Sequence, residues 1–294
     1  MMKNILKKGL VLLCASAMLA GSVFSAFAAS DGDKYLSLGA DLSDSEKSTV
    51  LKLLGVDGDE LDQYTVLTVT NDEEHKYLDD YISQDQIGTM ALSSVLVEKT
   101  EEGSGLNVET YNISYCTKGM YANALTTAGV TDANVTVAGP YEISGTAALI
   151  GAAKAFSESK GVSVDEKALD SALDEMITTG DLEEALDADP ESVESLIAEL
   201  KKEVAEGNID LSDTDAVRQT IEELASKYNI QLTSDQLQKI IDLLEKISHL
   251  DLNIDNLSQQ VQNLTNKLED MGVTTEQAKS WFQKFLDWLR SLLS

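Results

Sequence analysis

Residues 89–114 read TMALSSVLVEKTEEGSGLNVETYNIS, two β-rich runs around a turn-rich hexapeptide. Val95, Leu96 and Val97 give the first run its β-branched, apolar character, and Val108, Thr110, Tyr111 and Ile113 do so for the second. Between them TEEGSG carries two glycines and a serine, so the pair predicts a β-hairpin. Upstream, YTVLTVT (64–70) is a strand that runs into NDEEHKYLDDYI (71–82), a helix with Asn71 as cap and Glu74 at its third position. Before it, KYLSL (34–38) is a strand and SDSEKSTVLKLLG (43–55) a helix. Ser43 and Glu46 stand there in capping-box spacing, and Gly55 closes the helix. Downstream, Thr117 opens the helix TKGMYANALTTAG, which ends at Gly129, and ANVTVAG (133–139) is the last strand. After an opening β-α unit the order is β-α-β-β-α-β. That order predicts a mixed, ferredoxin-like sheet with its helices on one face.

From SGTAALIGAAKAF onward, helical from about Gly145, the grammar changes. Strand signals vanish after Val164 and capped helices follow one another. Asp189-Pro190 places a cap and a first-turn proline. Asp213, then Thr233 with Gln236, then Thr274 with Gln277 each precede an apolar-periodic run. The fold class expected is therefore α+β: an α/β domain over residues 29–158, then an α-helical domain over 159–294. Within the latter, Ile240, Leu243, Ile247, Leu250, Ile254, Leu257, Val261, Leu264, Leu268 and Met271 alternate spacings of three and four. A long coiled coil would use such a seam, but the flanking positions lack the paired Glu and Lys that choose partners. HLDLNID (249–255) also carries turn-forming Asp and Asn, so two bundle helices with a break there are expected.

The first 28 residues have the three parts of an export signal. Lys3, Lys7 and Lys8 precede an apolar run from Leu10 to Ala20, and Ala26-Phe27-Ala28 supplies a small-x-small cleavage site. Cys14 follows Leu13 where a lipoprotein signal wants a small residue, which argues against lipidation. Cleavage would leave 19 Lys and Arg against 51 Asp and Glu, a balance of −32. Such a charge repels phosphate backbones and excludes nucleic acid as the expected partner. With an apolar content of 43% and only Pro140 and Pro190 as breakers, a packed core is expected all the same. Cys116 would then be the sole cysteine, a small buried hydrophobe with no internal disulfide to form.

LGADLS, LTVTNDEEHKYL, the IG of DQIGTMALSS, GSGLNVETYNIS, MYANALTTAGV and VTVAGPYEISGTAAL follow one another between Leu38 and Leu149. In that order they resemble the YpuA-like family of exported Firmicute proteins, a domain of unknown function. The resemblance implies a Gram-positive, cell-envelope setting and a secreted chain. It implies no activity and no catalytic residues.

Motifs for chemistry are sparse. His75 has Asp79 one turn ahead and Asp72 one turn back, a spacing that could hold a metal, but acids near a helix start are favourable without one. His249 has no second ligand nearby. Ser157-Glu158-Ser159-Lys160 matches S-x-x-K without the partner motifs that accompany it in serine acylases. Ser144-Gly145-Thr146 and Gly103-Ser104-Gly105 could offer amides to an anion, and turn roles explain both equally. Asp57 to Asp62 and Asp251 to Asp255 place oxygens at alternating positions but lack the glycine and distal glutamate of a calcium loop. Weak cation binding is expected of such acidity, and no cofactor, metal site or catalytic residue is assigned.

The closing SWFQKFLDWLRSLLS (280–294) holds both tryptophans. Trp281, Phe282, Phe285, Trp288, Leu289 and Leu292 form an arc too wide for an ordinary surface helix. Lys279, Lys284 and Arg290 oppose only Asp287 on its polar strip. Either this helix seals the bundle, meets a partner or a second copy, or it lies in a membrane interface. The expected function is thus a non-enzymatic binding or interaction protein of the cell envelope. Its partner would be an envelope protein or the membrane surface. The alternative is an enzyme on envelope polymers or peptides, with a site near residues 107–115 and 140–146.

Overall fold

The protein is represented by a computed structural model that describes residues 34–81, 84–186 and 188–270. The chain opens with strand β1 (Lys34–Gly39) and helix α1 (Asp44–Leu54). Ser43 and Glu46 close a complete capping box there, and Gly55 ends the helix in the left-handed conformation at φ 72°. A 3-10 turn, Gly58–Gln63, is capped by Asp57, which accepts from the Asp59 amide at 3.0 Å. Strand β2 (Thr65–Val69) then leads to α2 (Asn71–Leu78) and the single turn α3 (Gln84–Ile87). Next come β3 (Ser94–Lys99), β4 (Leu106–Ile113), α4 (Lys118–Thr127), β5 (Ala133–Ile143) and α5 (Thr146–Ser159). The remaining described helices are α6 (Glu166–Ala185), α7 (Pro190–Ala205), α8 (Thr214–Lys227), α9 (Ser234–Ile247) and α10 (Ile254–Asp270). The fold is α+β, a mixed sheet followed by helices, and the β-α-β-β-α-β order is as expected.

The pairing within the sheet is not. Among the described residues the strands lie in the order β2-β1-β3-β5-β4. β3 runs antiparallel to both β1 and β5, while β4 pairs parallel to β5. The hairpin expected from residues 89–114 is therefore absent: TEEGSG carries the chain past β5 instead of folding β4 back on β3. Burial explains the choice. Ser94 to Val97 are all buried, so this run reads as a central strand covered on both faces. β4 instead mixes exposed Asn107, Tyr111 and Asn112 with buried Val108, the pattern of an edge.

The helices also cover both faces, not one. Leu36, Leu38, Leu96 and Ala138 pack under Val50, Leu51 and Leu54 of α1. On the other face Tyr35, Val95, Val97, Val108, Val135 and Val137 join α4, α5 and α6 in the main core. Gly151 lets α5 lie close to the sheet, since a Cβ there would strike Ser37. A third cluster unites Leu182 of α6 with α7, α8 and α9.

The heptad-like seam is broken, as the turn residues predicted. α9 stops at Ile247, and α10 restarts at Ile254 with Asn253 accepting from the Asn256 amide at 3.0 Å. α10 lies against α7 and α4, and α9 against α6. No helix among the described residues is long and apolar enough to cross a membrane.

Candidate functional site

The closing residues Trp281, Phe282, Phe285, Trp288, Leu289 and Leu292 lie outside the described residues. Of the chemistry-bearing motifs that lie within them, most are spent on structure. The α2 cap is Thr70, not Asn71. Thr70 accepts from the Glu73 amide at 3.2 Å, and Glu73 returns a bond to the Thr70 amide at 2.9 Å. This one-residue shift moves Glu74 inside. It is buried, accepts from Thr146 Oγ1 at 2.9 Å, and burial pushes its carboxyl up to about 7. His75 places Nδ1 2.8 Å from Asp79 Oδ1 and Nε2 3.2 Å from the Gly88 carbonyl. Both nitrogens face acceptors, so the Asp79 bond raises its pKa. Lys160 of the S-x-x-K quartet stacks over Phe156 at 4.2 Å. Of the segments 107–115 and 140–146, residues 107–113 fall in strand β4 and 140–143 in the end of β5, while Thr146 bonds Glu74, the neighbour of His75. Among the described residues no three His, Cys, Asp or Glu side chains are grouped to hold a metal ion.

A groove remains, and the fold builds it from three walls. Residues 105–109 of β4 and its preceding turn form one wall. Lys118, Gly119, Ala122 and Thr126, a four-residue repeat on α4 broken only by Gly119, form the floor. Asn256, Gln259, Gln260, Asn263 and Leu264 on one face of α10 form the third wall. Its volume is about 360 Å³, within the range of small ligand sites. Among the described residues five carboxamides line it, counting Asn107, and no aromatic ring does. At its mouth Lys118 pairs with Glu109, both half-exposed, so the pair contributes little energy.

β4 is the sheet edge among the described residues, and its register fixes what that edge offers. The Ala133 amide donates to the Gly105 carbonyl at 3.1 Å. In a parallel ladder, alternate residues face the neighbour, so Asn107 and Glu109 turn their backbone groups to β5. Leu106, Val108 and Thr110 turn theirs away from it, toward the open edge. The bulge between Tyr111 and Ile113, with Asn112 at φ 56°, ends the regular run.

Behind the groove lies a buried polar network. Lys201 of α7 donates to Glu175 of α6 at 2.8 Å, to Thr127 Oγ1 at 3.1 Å and to the Asn123 carbonyl at 2.8 Å. Both charged side chains are wholly buried, and burial lowers the Lys201 pKa while Glu175 opposes it. Thr127 also donates to Glu175. Asn123 then donates from Nδ2 to the Glu194 carbonyl at 3.0 Å, so its Oδ1 must face α10. Gln260 donates to that oxygen from Nε2 at 2.5 Å. These partners fix the amide orientation and leave Gln260 Oε1 buried without a hydrogen-bond partner among the described residues. Next to it, the Glu194 carboxylate accepts from Thr117 and lies over Gly119 at the start of α4, where a helix dipole favours it.

Sequence reading missed Gln260 because it stands beside the apolar seam. Leu257 and Leu264 are buried, but Gln260 takes the inward position between them and Val261 is only half-buried. A cluster of five carboxamides in eight residues, 256–263, was the available signal.

No solved structure matches the chain. It is similar to the "Uncharacterized protein YpuA" of Bacillus subtilis (strain 168), 43% identical over 210 residues, which is 71% of this chain and 70% of that one. The model of the family described as "Protein of unknown function (DUF1002)" matches residues 38–264, a span that takes in strands β2 to β5 and the end of β1, the buried network and all three walls of the groove. The chain belongs to that family.

Proposed function

We propose that this chain is an exported binding protein of the cell envelope, and that the β4–α4–α10 groove is where it holds its ligand. One observation carries the reading: five carboxamides and an open strand edge converge on a single cleft, and one carboxamide oxygen there lacks a donor. Burying such an oxygen unpaired costs free energy that an entering donor restores. Among the described residues the groove has bonding groups and shape but no nucleophile–base pair, which favours binding over catalysis. Export rests on the charged, apolar and small-x-small segments of residues 1–28.

The closing segment supports a second contact. Its aromatic arc and basic strip suit a partner protein, a second copy or a membrane face, and would tether the groove near its ligand. Deleting residues from Thr275 onward is expected to release a folded protein from the envelope fraction. Unchanged fractionation would remove the tether from the account.

The groove itself is tested by calorimetric titration of the chain from Ala29 with soluble peptidoglycan fragments, alongside an Ala122→Phe variant. Ala122 is a half-buried floor residue, and a ring there fills the cleft. Binding by the parent chain and its loss in the folded variant is the expected outcome. Equal binding by both would place the ligand elsewhere.

A further inference from the structure

We infer that the groove captures an extended peptide by strand addition to β4, with Gln260 Oε1 accepting one hydrogen bond from it. The inference rests on the groove's being the binding site and names the class of ligand. Leu106, Val108 and Thr110 present outward backbone groups at every second residue. An extended peptide repeats its own donors and acceptors at that same two-residue spacing, and a sugar chain does not. The opposite wall agrees. Asn256, Gln259 and Asn263 sit three and seven residues apart on one helix face, and although Gln259 Nε2 donates to the Gly103 carbonyl at 3.3 Å, a carboxamide both donates and accepts, as a peptide unit does. A glycan site would be expected to offer an aromatic face for the sugar ring, and among the described residues no lining residue is aromatic.

Gln260 supplies the specific element. Its amide cannot turn over to satisfy Oε1, because the turn would set Oε1 against Asn123 Oδ1, and Asn123 is held by the Glu194 carbonyl. The site therefore asks for a donor at that depth. Val108 and Leu106 add apolar walls for alternate side chains, the usual source of sequence preference in strand addition. Charge sets the remaining condition. The chain carries a formal −29, and the one carboxylate lining the groove among the described residues, Glu109, is already paired with Lys118. A neutral or basic peptide is favoured over an acidic one.

The test uses the folded chain and a capped hexapeptide of alternating threonine and lysine, followed by amide chemical shifts. Strand addition predicts shifts at Leu106, Val108 and Thr110 and along 256–263. Methylating alternate peptide nitrogens removes edge donors and is expected to weaken binding about tenfold for each 1.4 kcal/mol lost. Gln260→Leu is expected to weaken it similarly and, because it also strips the buried Asn123 Oδ1 of its donor, to lower the thermal midpoint. Should that variant not fold, the methylated peptide on the parent chain decides alone. Binding indifferent to methylation overturns strand addition, and so does occupation of the edge by a second copy in the free protein. Shifts with chitohexaose but not with the peptide would keep the groove and discard the peptide. Silence toward both probes, with peptidoglycan fragments still bound, would discard this inference alone; silence toward all three would discard the groove.

Discussion

Gln260 Nε2 donates to Asn123 Oδ1 at 2.5 Å, and through that bond the wall of the groove is tied to the buried Lys201–Glu175 pair. Asn123 stands between them on α4, its side chain serving α10 and α7 and its carbonyl accepting from Lys201. One residue thus holds four helices in register, because Glu175 belongs to α6. The shape of the groove depends on this network, and the first prediction concerns its centre.

Lys201→Met removes the cation from a wholly buried site, leaving Glu175 charged and buried. Breaking a buried pair from one side costs about 3–5 kcal/mol. Combining Lys201→Met with Glu175→Leu removes both charges and is expected to recover most of that loss. Urea unfolding of the three proteins measures this. A single-variant loss below about 1 kcal/mol would show that the pair is not buried as described.

Gly119→Ala tests the carboxylate over α4. Alanine is the better helix former by about 1 kcal/mol, but its Cβ would occupy the space of the Glu194 carboxylate. Displacing that carboxylate breaks its bond with Thr117, and overpacking costs about 1–3 kcal/mol. The net expectation is a lower thermal midpoint, reversed in part by adding Glu194→Ala. A midpoint above the parent's would contradict it.

Glu74 predicts a pH dependence. Burial raises its carboxyl from 4.5 to about 7, with Asp41 adding to the rise and His75, Thr146 and Asn71 opposing it. From about pH 4.5 to 7 the folded chain therefore holds a proton the unfolded chain has lost, and stability falls as pH rises through that window. Glu183, pushed up to about 8 by burial and by the nearby Glu194 and Glu191, acts in the same direction. Glu74→Gln resembles the protonated form. It should match the parent near pH 4.5 and exceed it by up to about 3 kcal/mol above pH 7, in urea midpoints. A constant offset at both pH values would refute this origin.

Cys116 is buried 3.3 Å from Met176 Sδ, and burial pushes its thiol up to about 12. A thiol reagent is expected to leave the native protein unmodified at neutral pH and to react once urea unfolds it. Rapid labelling of the folded chain would contradict that environment.

Local chemistry was legible in the sequence, and long-range partnership was not. The boxes at Ser43–Glu46 and Thr233–Gln236, the Thr117 cap and the proline at the start of α7 all act within four residues, so spacing alone reveals them. The break before Ile254 was readable for the same reason. At α2 two adjacent residues could cap, and the choice of Thr70 followed from where Asn71 goes: its Nδ2 reaches the Gly88 carbonyl, 17 residues away. The placement of β3 between β1 and β5 joins strands far apart in sequence, and periodicity gives no partner. Lys201 and Glu175 are 26 residues apart and look like two surface charges until α6 and α7 pack. The groove is the sum of such pairings, which explains why its residues on α4 and α10 went unassigned while the aromatic tail drew notice.

Amide hydrogen exchange along β4 tests the central claim most directly, because it asks whether the edge is open before any ligand is chosen. The account predicts slow exchange at Asn107 and Glu109, whose amides face β5, and fast exchange at Leu106, Val108 and Thr110. Adding the threonine–lysine hexapeptide should slow the second set and leave the first unchanged. Protection of all five amides in the free protein would mean that the edge is already covered, and the groove could not receive a strand.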